Sequence, residues 1–230
     1  MHQQWRDLTF LHWRVDPVVV ASVLPPGVRP DTYDGSAWVG LIPFRMVDAG
    51  VGAGPSVAWL GTFAETNVRV YTVDDRGRRG IVFCSLEASR LAVVLGARVS
   101  FGLPYCWARM RVDVTGDVLT YTTRRRWPGP RRVGGKIVVR CGEVRQSGDG
   151  LADFLTARWG LHTRWHGRTL YVPNEHETWP LHDAELLGLD DGLLLAAGFR
   201  GLATRPPDSV LYSPGVTTRF HRPFDARHPR

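Results

Sequence analysis

A β-rich α+β fold, made of antiparallel strands that pack as two sheets or close into a barrel, is expected on three grounds. About a dozen strand-like segments stand against three helical ones. β-Branched residues concentrate in the strongest of them, at Thr66, Val68, Val70, Thr72 and Val73. The strands are not regularly interleaved with helices, which argues against a parallel, doubly wound sheet.

Taken in order, residues 8–14 read as a strand. Asp16 then offers a side-chain cap and Pro17 suits the first helical position, so a helix is expected over 18–24, stopped by Pro25-Pro26-Gly27. Tyr33-Asp34-Gly35 turns into a strand over 37–47, and the glycine-rich stretch 47–57 reads as a loop. Residues 58–73 form a strand, Asp74-Asp75-Arg76-Gly77 a turn, and 81–84 the returning strand. Ala88, Leu91, Ala92 and Leu95 repeat at i, i+3, i+4 and i+7, so an amphipathic helix capped by Ser85 follows. Residues 107–115 and 118–123 make a hairpin about Gly116-Asp117. A strand over 136–144, a short helix over 151–158 and a His166-Gly167 turn between two strands come next. Short strands near 183–189, 193–198 and 209–219 complete the pattern. Trp127-Pro128-Gly129-Pro130 is best explained as a long loop, so residues 1–230 are expected to form one domain.

Composition narrows the functional classes. The chain is 43% hydrophobic and 22% charged, ordinary values for a globular protein, which exclude disordered and fibrous classes. No apolar run approaches bilayer length, and the opening residues lack the apolar stretch of a secretory signal. A cytoplasmic protein with no membrane partner is expected. Of the 29 basic residues only Lys136 is a lysine. Five arginines fall at positions 124, 125, 126, 131 and 132 and carry most of the net charge of +7. With no aromatic platform beside them they read as a solvated loop, and nucleic acid is not an expected partner. The three cysteines form no CxxC pair, so no disulfide is expected in a reducing compartment. His162 and His166 lie in a predicted hairpin and no HExxH occurs, so no metal and no cofactor are expected.

The most informative segment is Phe63-Ala64-Glu65-Thr66-Asn67-Val68-Arg69-Val70-Tyr71. On a strand, Glu65, Asn67, Arg69 and Tyr71 share one face, with neighbours roughly 6.6 Å apart. Such a row is either a solvated sheet face or the polar lining of a cavity inside a curved sheet. A second segment, residues 97–110, places Tyr105, Trp107 and Arg109 on one face. Cys106 between them reads as a buried inert thiol rather than a nucleophile, since no base is evident nearby.

The chain resembles the YqjF-like family of uncharacterised bacterial proteins. The resemblance runs through Gln4-Trp5-Arg6-Asp7-Leu8 with Phe10-Leu11-His12-Trp13, Leu24-Pro25-Pro26-Gly27 and Asp34-Gly35-Ser36-Ala37-Trp38-Val39-Gly40. It continues in Pro43-Phe44-Arg45-Met46, Glu65-Thr66-Asn67-Val68-Arg69-Val70-Tyr71, Ser85-Leu86-Glu87-Ala88, Leu103-Pro104-Tyr105 and Ala108-Arg109-Met110. That family is distantly similar to the acetoacetate decarboxylase superfamily, which implies a cone-like barrel around a central ligand cavity, in a fold whose members often assemble as homo-oligomers. Arg98, Phe101, Gly102, Pro104 and Ala108 match the decarboxylase segment, and Glu65 looks like its site glutamate. Tyr105 and Cys106 stand where that segment carries two lysines. A phenol and a thiol cannot form a Schiff base, so the resemblance supports the pocket and argues against amine-based decarboxylation.

Two functions follow as expectations. In the first, the protein binds a small anionic, carboxylate- or carbonyl-bearing metabolite and acts on it by acid/base chemistry. Glu65 is then the acid/base group, Tyr105 a hydrogen-bond donor to a carbonyl or enolate, and Arg69 or Arg98 the anion clamp. Asn67, Tyr71, Cys106 and Arg109 complete the expected lining. In the second, the same row is a structural polar network in a non-enzymatic ligand-binding, sensor or scaffold protein. An accessible void of roughly a few hundred cubic ångströms beside Glu65 favours the first, and a filled core the second.

Overall fold

The computed structural model describes residues 2–50, 61–146 and 148–227. The strands are β1 (His2–Val15), β2 (Val28–Pro30), β3 (Ala37–Gly50), β4 (Phe63–Asp74), β5 (Arg79–Ala88), β6 (Tyr105–Thr115), β7 (Val118–Trp127), β8 (Gly134–Val144), β9 (Gly160–Trp165), β10 (Arg168–His176), β11 (His182–Asp191), β12 (Ser209–Phe220) and β13 (Phe224–Asp225). Helices α1 (Pro17–Ala21), α2 (Leu91–Phe101), α3 (Gly150–Thr156) and α4 (Leu193–Ala196) connect them, with a 3₁₀ turn at Leu202–Thr204. Residues 51–60 of the expected loop and strand lie outside the described residues, while 47–50 extend β3. No helix among the described residues is long and apolar enough to cross a membrane.

The hydrogen-bonded order β5-β6-β7-β8-β11-β12-β1-β3-β4 returns to β5, because β4 also pairs with β5. That ring is a closed barrel, which leaves no free edges around its circumference. A second ring uses part of the same wall: β5 pairs with β9, β9 with β10, and β10 with β12. Strands β12, β1, β3, β4 and β5 are therefore shared, and each of their faces looks into a different chamber. Alternation sorts the side chains. Leu11, Val39, Leu41, Val68, Val70 and Val82 fill the barrel with Leu119, Tyr121, Ile137 and Val139. Phe10, Ile42, Phe44 and Leu86 face the second chamber, where Tyr71, Ile81, Phe154, Leu161 and Trp179 also pack.

Several elements depart from the expectation, each for a local reason. The Asp16 carboxylate accepts from the Val18 amide at 2.8 Å, so the α1 cap forms as expected. The helix nevertheless ends at Ala21, since only Val20 of its valines is buried and β-branched residues do not sustain an unpacked helix. Ser85 and Ala88 belong to β5, paired with Val68 and Glu65, and α2 begins at Leu91. Its buried residue is Val94, and Leu91 and Leu95 are exposed, the reverse of the periodicity argument. As the crossover between β5 and β6, α2 makes that pair parallel; β5 and β9 also pair in parallel, so the barrel is not wholly antiparallel. Residues 193–196 are helical rather than a strand: Leu193 and Leu194 are buried, and the Asp191 carboxylate accepts from the Leu194 amide at 2.9 Å. The arginine segment is not wholly a solvated loop: Arg124, Arg125 and Arg126 lie on β7, and Arg125 is buried.

Gly134 opens β8 where the backbones of β7 and β8 meet. A Cβ there would sit 1.9 Å from the Thr123 carbonyl oxygen, a backbone atom that cannot rotate away. Gly134→Ala is expected to lower the unfolding free energy by about 2 kcal/mol or more. The check is a lower urea midpoint at unchanged slope.

Candidate functional site

Strand β4 is buried on both faces, which is why its polar row has no solvated alternative. Glu65 lies between Phe44 of β3 and Ala88 of β5, and the Tyr105 hydroxyl donates to its Oε2 at 3.0 Å. Burial pushes the Glu65 carboxyl up to about 8, against the opposing pull of the Tyr105 bond and with help from the nearby Glu87 charge. The group is therefore mainly a neutral acid at pH 7. Burial also holds the Tyr105 phenol well above its ordinary value. Asn67, flanked by Ile42 and Leu86, has a buried Oδ1 with no hydrogen-bond partner.

Arg69 and Tyr71 continue the row. Tyr71 donates to the Leu155 carbonyl at 2.9 Å, so its oxygen accepts from Arg69 Nε at 3.2 Å and from His12 Nε2 at 2.6 Å. His12 sits opposite Gly40, which in turn pairs with Arg69, and a Cβ on Gly40 would come within 3.1 Å of the His12 ring. Burial and the Arg69 charge hold His12 well below its ordinary value, so it is neutral. Arg69 donates a second bond to Leu155 O at 3.2 Å and lies over the Phe10 ring at 5.6 Å. Among the described residues this 8% exposed guanidinium forms no ion pair.

A cavity of about 30 Å³ adjoins Arg69. Ile81, Phe83, Leu161 and Gly160 line one part, Trp5, Trp179, Phe220 and Thr156 another, and Arg158, Asn174 and His176 add polar groups. Arg158 pairs with Asp31, which also pairs with Arg79 at 2.7 Å. Arg158 and Arg79 thus share the one Asp31 carboxylate, Arg69 has no ion pair among the described residues, and positive charge exceeds negative in this arginine cluster. Glu65 is not among the residues lining this cavity.

The barrel side of the wall carries a separate polar cluster. Glu87, fully buried, receives Arg125 Nε at 3.0 Å together with Arg125 Nη2, and Ser85 Oγ donates to it at 3.2 Å. Burial raises the Glu87 carboxyl and Arg125 opposes that rise. Cys106 pairs in register with Glu87 and so faces this cluster, away from Tyr105. Burial pushes its thiol up to about 11, which keeps it protonated and unreactive.

Of the eight residues singled out from sequence, the structure brings Glu65, Asn67, Arg69, Tyr71 and Tyr105 to one side of the wall. It does not bring the other three. Cys106 is on the opposite face. Arg98 is spent in the last turn of α2, donating to the Tyr105 carbonyl at 2.7 Å and lying over Trp127 at 5.4 Å. Arg109 is exposed, two steps beyond Trp107. His12, Trp5, Arg158, Asn174, His176 and Trp179 were missed, because each reaches the chamber from a strand or loop remote in sequence. Among the described residues, no three His, Cys, Asp or Glu side chains are grouped to hold a metal ion.

Residues 2–217 match the family model DUF2071, described as an uncharacterized conserved protein. The uncharacterized protein YqjF of Bacillus subtilis (strain 168) is 32% identical over 185 residues, which is 80% of this chain and 76% of that protein. Acetoacetate decarboxylase from Legionella pneumophila superposes with a TM-score of 0.64 at 15% identity, over 97% of this chain and 88% of that one. The enduracididine biosynthesis enzyme MppR complexed with pyruvate gives 0.61 at 18%, over 97% and 89%. These neighbours establish the fold, and the family match establishes kinship: the chain belongs to the DUF2071 family and has an acetoacetate decarboxylase-like fold.

Proposed function

We propose that the protein binds a small anionic, carboxylate- or carbonyl-bearing metabolite in the chamber beside Arg69. The observation that carries this is a buried guanidinium with no carboxylate partner among the described residues, on the wall of a cavity. Burying an unpaired cation is costly, and an incoming carboxylate offsets that cost with charge-assisted hydrogen bonds. Any chemistry on the ligand would be acid/base chemistry. Glu65 is a neutral carboxylic acid able to give a proton, and Tyr105 is the phenol that holds it. Tyr105 also stands where a decarboxylase-like segment would carry its amine, so a Schiff base has no nitrogen to form on.

One observation favours a second reading, binding without catalysis: Glu65 is bonded to Tyr105 and does not line the cavity. Thermal shift with millimolar formate and acetate, against chloride at equal ionic strength, tests the main reading. The carboxylates are expected to raise the melting temperature of the wild type and of Arg69→Lys, and to leave Arg69→Met unmoved. Equal response to chloride and carboxylates would sink it. Glu65→Gln separates the two readings, since unchanged affinity for every bound carboxylate supports binding alone.

A further inference from the structure

Independently of the anion chamber, we propose that the outer face formed by α2 with β6 and β7 docks on an anionic phospholipid bilayer. α2 would lie among the headgroups and the arginines beside it would meet the lipid phosphates. The helix is apolar all round: of its 11 residues only Arg98 is charged. A helix of that composition is normally buried. Here Val94 alone is buried, against the wall that β5, β6 and β9 present. Leu91, Leu95 and Val99 form a row at i, i+4 and i+8 on the side turned to solvent, and Val99 is 75% exposed. Ala92 and Gly96, next to that row, are exposed as well, so the patch is continuous.

The same face carries cations that nothing in the fold neutralises. Arg109 of β6 lies directly opposite Arg124 of β7, a like-charge pair that weakens a sheet. Both are exposed, as are Arg126, Arg131 and Arg132, and among the described residues none of the five forms an ion pair. Two tryptophans join the helix to these arginines. Trp107 and Trp127 pair across β6 and β7, Arg98 of α2 lies over Trp127 at 5.4 Å, and Arg126 lies over Trp107 at 4.7 Å. Trp127 is 45% exposed, at the border of the apolar patch and the cationic one. That is where an indole sits at a membrane–water interface.

The apolar row and the unpaired cations together select the partner. A nucleic acid would answer the arginines and leave Leu91, Leu95 and Val99 in water. A second copy of this chain, docked about a two-fold axis through α2, would cover the leucines and set the same arginines against their own copies. An amphipathic peptide is received by a groove, and α2 is a ridge standing on the sheet. An anionic bilayer accepts a ridge into its soft headgroup layer and supplies phosphates at the flanks. A single apolar or basic signal gives marginal attachment, and the two combined give stable attachment. The sequence predicts no membrane partner because no segment is long enough to span a bilayer; a helix that lies in the interface needs no such length.

Co-sedimentation of the full chain with vesicles tests the proposal. Vesicles of equimolar phosphatidylserine and phosphatidylcholine are expected to bind it at least about tenfold more tightly than phosphatidylcholine alone, and added salt to weaken that binding. Two double variants, Leu95→Glu with Val99→Glu and Arg109→Gln with Arg124→Gln, alter exposed side chains. Each is expected to keep the wild-type melting temperature and to lose about tenfold or more in partitioning. If a double variant does not fold, Val99→Glu or Arg124→Gln alone is read in its place. Equal binding to both vesicle types, or to neither, overturns the proposal. So does binding that persists undiminished in either folded variant. Tighter binding of mixed-sequence single-stranded DNA than of vesicles, with the helix variant unaffected, overturns it in favour of a nucleic acid. A dimer in sedimentation equilibrium that Val99→Glu dissociates, without vesicle binding, overturns it in favour of a second copy.

Discussion

Glu65→Gln is expected to make the protein more stable at alkaline pH and to flatten its pH dependence between about pH 4.5 and 8. The buried carboxyl binds its proton more tightly in the folded chain, with a value of about 8, than in the unfolded chain, at 4.5. Stability associated with the protonated form is fully present below the unfolded value and is lost as pH rises through the folded one. Across that window the wild type should lose on the order of 4–5 kcal/mol through this group. Glutamine keeps the shape and an acceptor for Tyr105, and has no proton to lose. Urea unfolding of both proteins at pH 5, 7 and 9 gives a difference that grows with pH in favour of the variant. A constant difference would show that Glu65 titrates as an ordinary surface carboxylate, and would remove it as a proton donor at neutral pH.

Arg125→Met is expected to cost about 3–5 kcal/mol. Its guanidinium grips Glu87 through two nitrogens, and Glu87 has no accessible surface. Deleting the cation leaves a buried carboxyl with only the Ser85 hydroxyl and the weakly donating Cys106 thiol beside it. Pairing the change with Glu87→Met removes both charges at once and should recover most of the loss, because an apolar pair of similar volume avoids the desolvation of either ion. Guanidinium unfolding of the wild type, single and double variants reads both effects. A single variant within about 1 kcal/mol of wild type would falsify the view that this pair is sealed from water.

The sequence made the polar row legible because strand alternation is a local rule: Glu65, Asn67, Arg69 and Tyr71 share a face whatever surrounds them. The same rule joined Tyr105 to its face of β6, and kinship suggested that the two belong together. Alternation cannot say that both faces of β4 are buried, since that depends on a second ring closing through β9 and β10. Arg158 and Asn174 were invisible for that reason. One follows a short helix and the other sits near the end of a strand, and neither carries a local mark of function. The misplaced α2 shows the opposite error, where Ala88, Leu91 and Leu95 formed a convincing helical stripe. Pairing of β5 with β4 and β6 claimed Ala88 for the sheet, so the stripe was an accident of spacing.

Strand β12 touches β1, β10 and β11. It is the late-arriving staple that shuts both rings. On the ribosome, β1 waits for this partner more than 190 residues downstream, so neither chamber closes until β12 has emerged. The nascent chain spends that interval with unpaired strand edges exposed, the condition in which a long-range β topology folds slowly and is most prone to aggregate.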